Sequence, residues 1–295
     1  MSKYFLIYNP HGGLKKGKKI LEKVLPIFHS SLIKLTILKT EYSGHAFDYA
    51  KALEFNGYDG ICAIGGDGTM HEIINGMLKR EDKKKLPIGL ITGGTGNSFM
   101  HDMKCLDPID AAKKIILGNK KPIDVFKVKS NEKTFYSFNL VGWGVPADSN
   151  ILAEKLRWLG GLRYSVSAII EVLKSKKRIS KLIYDKKEYN DDFTFIMACN
   201  TIHVGKGMKM APKAKINDGK IDLIIVRKVS RIKLLLLFPK LFNGTHIQSP
   251  LVEYKQVNEF SIIPKSKNRL NIDGEMKGQT PVNVKVYSNK IEVFN

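Results

Sequence analysis

The chain has 295 residues, 43% of them hydrophobic, and a formal net charge of +21. That length suits one large domain or two moderate ones, each able to bury a core. Three scattered cysteines, Cys62, Cys105 and Cys199, exclude a disulfide framework and a cysteine-based metal site, so a reducing cytoplasm is expected.

Residues 4–9, YFLIYN, read as a buried strand that is too short, so close to Met1, for the apolar core of a secretory signal. Ile20, Leu21, Val24, Leu25 and Phe28 follow at helical spacing. Residues 31–40 are a second strand. Residues 43–55 are a helix capped by Ser43, with Phe47, Ala50 and Leu53 on one face. Residues 60–65, GICAIG, form strand three, and the helix after it carries Met70, Ile73, Ile74, Met77 and Leu78. Residues 86–92 are strand four, and 110–117 a short helix ended by Gly118. Such alternation predicts a parallel sheet covered by helices.

After Pro122 the pattern changes to segments rich in Val, Ile and Phe between polar turns, interrupted by helical blocks near 150–174 and 232–241. The most apolar stretch, 222–242, is broken by Arg227, Lys228, Arg231, Lys233 and Pro239 before the roughly 20 residues of a membrane span. The expected fold class is therefore α/β with an open parallel sheet, followed by a mostly antiparallel β domain. The expected boundaries are 1–123 for the first and 124–295 for a β-rich substrate domain, with the last strand able to return to the first.

The basic runs at 14–19, 79–85 and 174–181 admit a solvated surface, an anionic membrane surface or nucleic acid. They lack the interleaved aromatics of a base-stacking platform and any groove-reading motif, so nucleic acid ranks last.

Ligands of open α/β sheets gather beyond the carboxyl ends of the strands. Three glycine-bearing turns fall there: NPHGG (9–13), GGDGT (65–69) and GGTGNS (93–98). Without a Cβ in the way, backbone N–H groups can reach phosphate oxygens, and three such turns together favour a phosphate-rich ligand over ordinary tight turns. No GxxxxGK[ST] is present, which excludes a P-loop, and GGDGTMHEI does not fit GxGxxG. An acidic Asp67 beside phosphates makes sense with a divalent cation or a bridging water; an Asx-turn on its own backbone is the alternative. His71 and Glu72 are no zinc pair, because that helix offers no second histidine at ligand spacing. Glu72 serves the N-terminus of that same helix or the ligand. Near the end of the chain, Asp273 and Glu275 flank Gly274, and the turn is expected to present both carboxylates together, raising one pKa towards that of a general base. A solvated hairpin tip is the alternative reading. The helical segments 157–175 and 231–244 join apolar residues to basic flanks, and read as core helices or as a surface resting on lipid.

IGGDGTMHEIING (64–76) resembles the signature of the diacylglycerol kinase catalytic family, which includes soluble bacterial lipid kinases and sphingosine kinases. YNPHGG (8–13), TEYSGHA (40–46), GGTGNSF (93–99), MKMAPKAKINDGKIDLIIV (208–226) and NIDGE (271–275) are similar, in order, to further landmarks of that family. GGDGT alone is shared with NAD kinases and phosphofructokinases, so the later matches carry the likeness. Ser98 departs from it, standing where the family usually has aspartate, which affects a polar contact near the nucleotide.

The resemblance implies a two-domain kinase with an interdomain cleft and a β-sandwich second domain. It implies ATP as phosphoryl donor, held by Asn9, Thr40, the run Gly65, Gly66, Asp67, Gly68, Thr69, Met70, His71 and Glu72, and Thr95. Asp67 would order Mg2+ through water. A structural Mg2+ is implied on the turn of Asp218, with the backbone of Lys215 and Lys220. Glu275 would accept the proton of the lipid hydroxyl, with Asp273 in support. The implied activity is phosphorylation of diacylglycerol or a related lipid by a cytoplasmic enzyme peripheral to an anionic membrane. A homodimer stays open, as do a soluble substrate of the NAD kinase type and a non-catalytic binding role.

Overall fold

Strand–helix alternation in the first third folds as the periodicity requires. In this computed structural model, which describes residues 2–10, 12, 16–94, 96–131, 133–174, 176–205 and 207–295, with only the backbone of Arg157 and Gly161, two compact units form. One is Met1–Ile123 with Asn289–Asn295; the other is Asp124–Ser288.

The first unit runs β1 (Lys3–Tyr8), α1 (Gly17–Ser30), β2 (Lys34–Lys39), α2 (His45–Ala52), β3 (Gly60–Gly65), α3 (Asp67–Leu78), β4 (Ile88–Thr92), α4 (Ser98–Asp102) and α5 (Pro108–Leu117). β1 pairs in parallel with β2 and β3, and β3 with β4, giving the order β4-β3-β1-β2. Parallel sheets are covered on both faces, and β3 and β4 are buried along their whole length. Chain order reverses between β1 and β3, which makes that crevice the topological switch point of the sheet.

Local details depart from the sequence reading. β2 begins at Lys34 rather than at 31, because Leu32 sits at φ 56 in a turn. Ser43 does not cap α2: the N-cap is Gly44 at φ 95, with no side-chain cap of its own. The buried face of α2 is Ala46 and Ala50, not Phe47 and Leu53. Two small residues suit it, since α3 lies so close that a Cβ on Gly76 would meet the Phe47 carbonyl at 2.3 Å. Helix α5 starts two residues early, at Pro108, with the Asp107 carboxylate accepting from the N–H groups of Ile109 and Asp110.

The second unit takes up the chain within β5 (Lys120–Ser130). It continues through β6 (Lys133–Ser137), β7 (Leu140–Gly144), α6 (Val145–Lys155), a 3-10 turn (Arg157–Leu162), α7 (Arg163–Lys174), β8 (Ile179–Tyr184) and β9 (Lys187–Cys199). Then come the short ribbon of β10 (His203–Val204) and β11 (Met208–Lys209), β12 (Ile221–Arg227), α8 (Arg231–Leu237), α9 (Lys240–Asn243) and a 3-10 turn (Thr245–Gln248). β13 (Glu253–Val257), β14 (Glu259–Pro264), β15 (Arg269–Ile272), β16 (Glu275–Gln279) and β17 (Val282–Phe294) complete it. The end of β17 belongs to the first unit, where Val293 pairs in parallel with Ile88.

Pairing in the second unit is antiparallel. β9 is long enough to join two sheets: its first half pairs with β8 and its second half with β7 and β12. Alternation along its second half decides two cores. Ile196 and Ala198, with Leu223 and Ile225 of β12, enter the sandwich core with Trp143, Phe193 and Phe260. Met197 and Cys199, with Ile224 and Val226, face a second cluster beneath α7 and α8, with Val172, Leu234 and Leu237.

Both expected helical blocks are split. Gly160, at φ 56 and ψ −126, breaks the first, and Pro239 separates α8 from α9. Strands β8, β13 and β16 escape the sequence reading: β13 and β16 are short and rich in Glu, Lys and Gln, and β8 exposes Ile179 at its start.

Candidate active site

At the carboxyl edge of the first sheet, the loops after β1, β3 and β4 are tied side by side. The N–H of Asn9 donates to the Ile64 carbonyl (3.1 Å), that of Gly93 to Gly65 (2.7 Å), and that of Thr40 to Tyr8 (3.0 Å). Helix α3 opens directly from β3, with Gly66 as an N-cap that offers no side chain of its own. The first helical bond runs from the N–H of Met70 to the Gly66 carbonyl. The N–H groups of Asp67, Gly68 and Thr69 therefore form the partial positive end of a 12-residue helix at the switch point, where an anion is stabilised.

The glycines answer to a nearer constraint than a ligand. A Cβ on Gly66 would sit 2.9 Å from the Cα of Gly94, and one on Gly94 would sit 2.6 Å from that of Gly66. A Cβ on Gly65 would lie 2.4 Å from Thr69 Oγ1. The two loops touch backbone to backbone, and Thr69 folds back over the end of β3.

Asp67 is committed to this architecture. One carboxylate oxygen accepts the N–H of Ser98 (2.8 Å), and the other that of Phe99 (3.2 Å), so Asp67 caps α4 from across the crevice. Ser98 is buried at the start of α4. Glu72 plays the same part for α2: its two oxygens accept the N–H groups of Gly44 (2.9 Å) and Ala46 (3.2 Å). This carboxylate does the work expected of Ser43, and a sequence reading limited to neighbours along the chain has no means of finding it.

The remaining residues of the run divide. Gly66, Asp67 and Gly68 are half-buried, whereas Thr69, Met70 and His71 are buried. His71 packs against Asn75. Met70 and His71 turn their side chains into the core, so only their main chain is left for a ligand. Asn9 folds its own turn, its Oδ1 accepting the N–H of Gly12 (3.0 Å). The Thr40 hydroxyl donates to the Tyr8 carbonyl at 3.4 Å. Thr95, with His11 and Gly13 of the first turn, lies outside the described residues.

In the second unit, Asp273 and Gly274 form the two-residue turn between β15 and β16, both at positive φ (53 and 89). Asp273 is 4% exposed. Its Oδ1 accepts the Ser137 hydroxyl (2.7 Å) and the N–H groups of Asn139 (2.9 Å) and Leu140 (3.0 Å), and its Oδ2 the N–H of Phe138 (3.2 Å). Asn271 Oδ1 accepts the Gly274 N–H (2.8 Å), and Asn150 on α6 donates to the Gly274 carbonyl. Glu275, next along, is exposed. The expected presentation of both carboxylates together is thus corrected. Asp273 is turned inward as a clasp on the 137–140 loop, and Glu275 alone faces out, on a turn fastened from three sides.

On the 215–220 turn, Asp218 is exposed and its Oδ1 accepts the N–H of Lys220 (3.0 Å). Buried Asp124 accepts the Gly219 N–H (2.7 Å). Buried Asp222 accepts from Tyr254 (2.6 Å) and Gln256 (3.0 Å) through one oxygen, while the other has no hydrogen-bond partner. Burial raises the Asp222 carboxyl above the usual carboxylate range, against the pull of those two donors. Among the described residues no group of three His, Cys, Asp or Glu side chains is placed to hold a metal ion. A cation here would rest on Asp218 and main-chain carbonyls, an oxygen-only donor set suited to a hard ion.

The diacylglycerol kinase catalytic domain is matched by residues 3–128, and the YegS C-terminal NAD kinase beta sandwich-like domain by residues 139–295. A diacylglycerol kinase of Bacillus subtilis is 30% identical over 95% of this chain and 92% of its own length. One of Staphylococcus saprophyticus is 31% identical over 98% and 94%. The chain belongs to the diacylglycerol kinase family. These lipid kinases extend to plants: sphingosine kinase 1 of Arabidopsis thaliana is 29% identical over 90% of this chain. The chain spans 65% of that relative's length, and 63% of sphingosine kinase 2.

A crystal structure of a Bacillus anthracis diacylglycerol kinase superposes with a TM-score of 0.80 at 25% identity, covering 99% of this chain and 96% of that one. The expected α/β sheet followed by an antiparallel sandwich is the fold of this family. An NAD kinase from Archaeoglobus fulgidus, in complex with ATP, shares the fold alone, with a TM-score of 0.52 at 12% identity over 99% of this chain and 93% of that one. Among the described residues no helix is long and apolar enough to cross a membrane.

Proposed function

We propose that this protein transfers the γ-phosphoryl group of ATP, with Mg2+, to the hydroxyl of diacylglycerol or a related lipid, giving a phosphatidate-like product. The observation that carries this reading is the β3–α3 junction. A helix of 12 residues starts at the switch point of the sheet with a glycine, Gly66, as its N-cap, a residue that has no side chain to take the first N–H groups. Such an end suits a polyphosphate, and the family's kinase relatives extend over nearly the whole chain.

The residues present fit the groups invoked. The N–H groups of Gly66, Asp67, Gly68 and Thr69 would take phosphate oxygens, with Asn9, Thr40 and Thr95 on the neighbouring turns. The carboxylate of Asp67 would order the nucleotide's magnesium through water. A second, structural Mg2+ would rest on Asp218 and the carbonyls of Lys215 and Lys220, pinning the turn before β12. Bound ATP supplies the reactive phosphoryl group, whose transfer needs positioning and charge neutralisation more than covalent help from the protein.

What the chain adds is a proton acceptor. Glu275 is an exposed carboxylate on a turn fixed by Asp273, Asn271 and Asn150, so its position is set while its oxygens stay available. It would take the proton of the lipid hydroxyl as the oxygen attacks, a role typically worth 10²–10⁴-fold in rate. Asp273 supports it through the backbone of the turn, not as a second base. The enzyme would work peripherally at an anionic membrane in the cytoplasm.

The test is transfer of labelled phosphate from Mg-ATP over a lipid panel, comparing wild type with Glu275→Gln. The expected result is turnover on diacylglycerol, a loss of at least about a hundredfold in the variant, and unchanged nucleotide affinity. Equal rates would remove Glu275 from its role. Phosphorylation of NAD instead of lipid, or ATP binding without any transfer, would replace the reading with a soluble-substrate or non-catalytic one.

A further inference from the structure

Three rings are piled at the start of α2. The ring centroids of Tyr42 and His45 lie 4.2 Å apart with 10° between their planes, and those of His45 and Tyr49 lie 4.1 Å apart with 19°. Two near-parallel neighbours at such distances must cover opposite faces of His45, so the pile runs Tyr42, His45, Tyr49. Each ring is pinned at its edge. The Tyr42 hydroxyl donates to Asp48 (2.8 Å) and the Tyr49 hydroxyl to the Lys39 carbonyl (3.0 Å), while His45 Nδ1 accepts the Glu41 N–H (3.1 Å). Tyr42 ends the pile. His45 covers one of its faces, and the residue is 55% exposed, so its outer face stands in water. A rigid, open aromatic face is what another flat ring gains by stacking on.

The pile stands beside the proposed phosphate site and is locked to it. It follows Thr40 at the carboxyl end of β2, and the sheet order is β4-β3-β1-β2. Two strand spacings across, the loop after β2 lies roughly 10 Å from the start of α3. An extended nucleotide spans about that distance between its phosphates and its base. Glu72, in the second turn of α3, holds the N–H groups of Gly44 and Ala46. That carboxylate fixes the rings relative to the free N–H groups at the start of the same helix. On the β4 side the crevice is closed, since Gly66 and Gly94 meet backbone to backbone and Asp67 caps α4.

The geometry points to the outer face of Tyr42 as the seat of the nucleotide's base, with His45 and Tyr49 backing it as a rigid stop. The assignment rests on the lipid-kinase reading for the presence of ATP, and adds to it the residue that takes the base. Stacking responds to ring area more than to the hydrogen-bonding pattern of an edge, so a purine is favoured over a smaller pyrimidine. Because the three rings are ordered in advance, little freedom is lost when the base arrives.

The test is calorimetric binding of Mg-ATP, and of magnesium tripolyphosphate, which has phosphates but no base, to the whole protein. Wild type is expected to bind ATP about tenfold more tightly than tripolyphosphate. Tyr42→Leu, which keeps an apolar side chain without a ring, should lose roughly tenfold in ATP affinity and nothing in tripolyphosphate affinity. Tyr42→Phe should bind ATP as wild type does, because the hydroxyl is turned to Asp48 and not to the ligand. An equal loss for both ligands in Tyr42→Leu would reduce the pile to a prop for α2 and overturn the assignment. Unchanged ATP affinity in that variant, or equal affinity of wild type for the two ligands, would do the same. ATP binding that depends on the Tyr42 ring, without transfer to any lipid, sinks the kinase reading alone. Transfer to lipid with an ATP affinity indifferent to the ring sinks the base platform alone.

Discussion

The glycine-flanked acids Asp67 and Asp273 look alike in the sequence and are used alike in the fold, but to different depths. Each carboxylate closes over the backbone N–H groups of a distant loop, Asp67 over Ser98 and Phe99, Asp273 over residues 138–140. Asp67 is half-buried with two such bonds to another loop, and Asp273 is almost wholly buried with three and a hydroxyl besides. In both turns the acid that the motif advertises organises the backbone. In the proposed reaction, chemistry falls to a neighbour: the start of α3 in one unit, and exposed Glu275 in the other.

Removing the deeper clasp should show the largest effect. Asp273→Ala leaves buried N–H groups of Phe138, Asn139 and Leu140 without an acceptor, and is expected to cost on the order of 3 kcal/mol or more in stability by denaturant unfolding. Asp273→Asn keeps the shape and one acceptor, and should lose about half as much. Full stability in Asp273→Asn with abolished turnover would move Asp273 from architecture to chemistry and break the comparison. Asp67→Asn is the smaller case, since one oxygen still accepts and the site is partly solvated. A loss of about 1 kcal/mol is expected, with a weaker response of the rate to magnesium. A loss as large as that of Asp273→Ala would mean that Asp67 is no shallower than its counterpart.

Much of the architecture was legible because it is periodic. The apolar runs read as strands at 60–65 and 86–92 form β3 and β4, the latter from Ile88, and Gly118 ends α5 at φ 73, as a C-terminal glycine should. Long-range capping was illegible. Nothing near Ser43 announces that Glu72, far along the chain, will bind the start of α2, nor that Asp67 will bind that of α4. The close approach of Gly66 to Gly94 is equally invisible, so a glycine needed for packing between loops reads as one needed for phosphate. Polar strands such as β13 failed for another reason: Lys255 and Gln256 follow one another at exposed positions and break the alternation. At the candidate site, the order of the turns came through, whereas the inward set of Asp273 depends on its positive φ and on a loop 135 residues earlier.

The smallest expected effect concerns a buried titratable group without such a clasp. His246 is 2% exposed; its Nε2 meets the Met210 carbonyl at 3.0 Å, and its Nδ1 has no hydrogen-bond partner. Burial pushes the imidazole below its ordinary value of 6.5, against the pull of the Met210 and Lys240 carbonyls. Below 6.5 the unfolded chain therefore binds a proton that the folded chain resists, and stability falls as pH drops through that value towards the depressed folded one. Above 6.5 the ring is neutral in both states and contributes no slope. His246→Gln, whose amide can still donate to Met210, is expected to flatten this acid limb in denaturant titrations on either side of 6.5. An unchanged limb would mean that the ring accepts its proton in place, paired by the two carbonyls as effectively as backbone N–H groups pair Asp273.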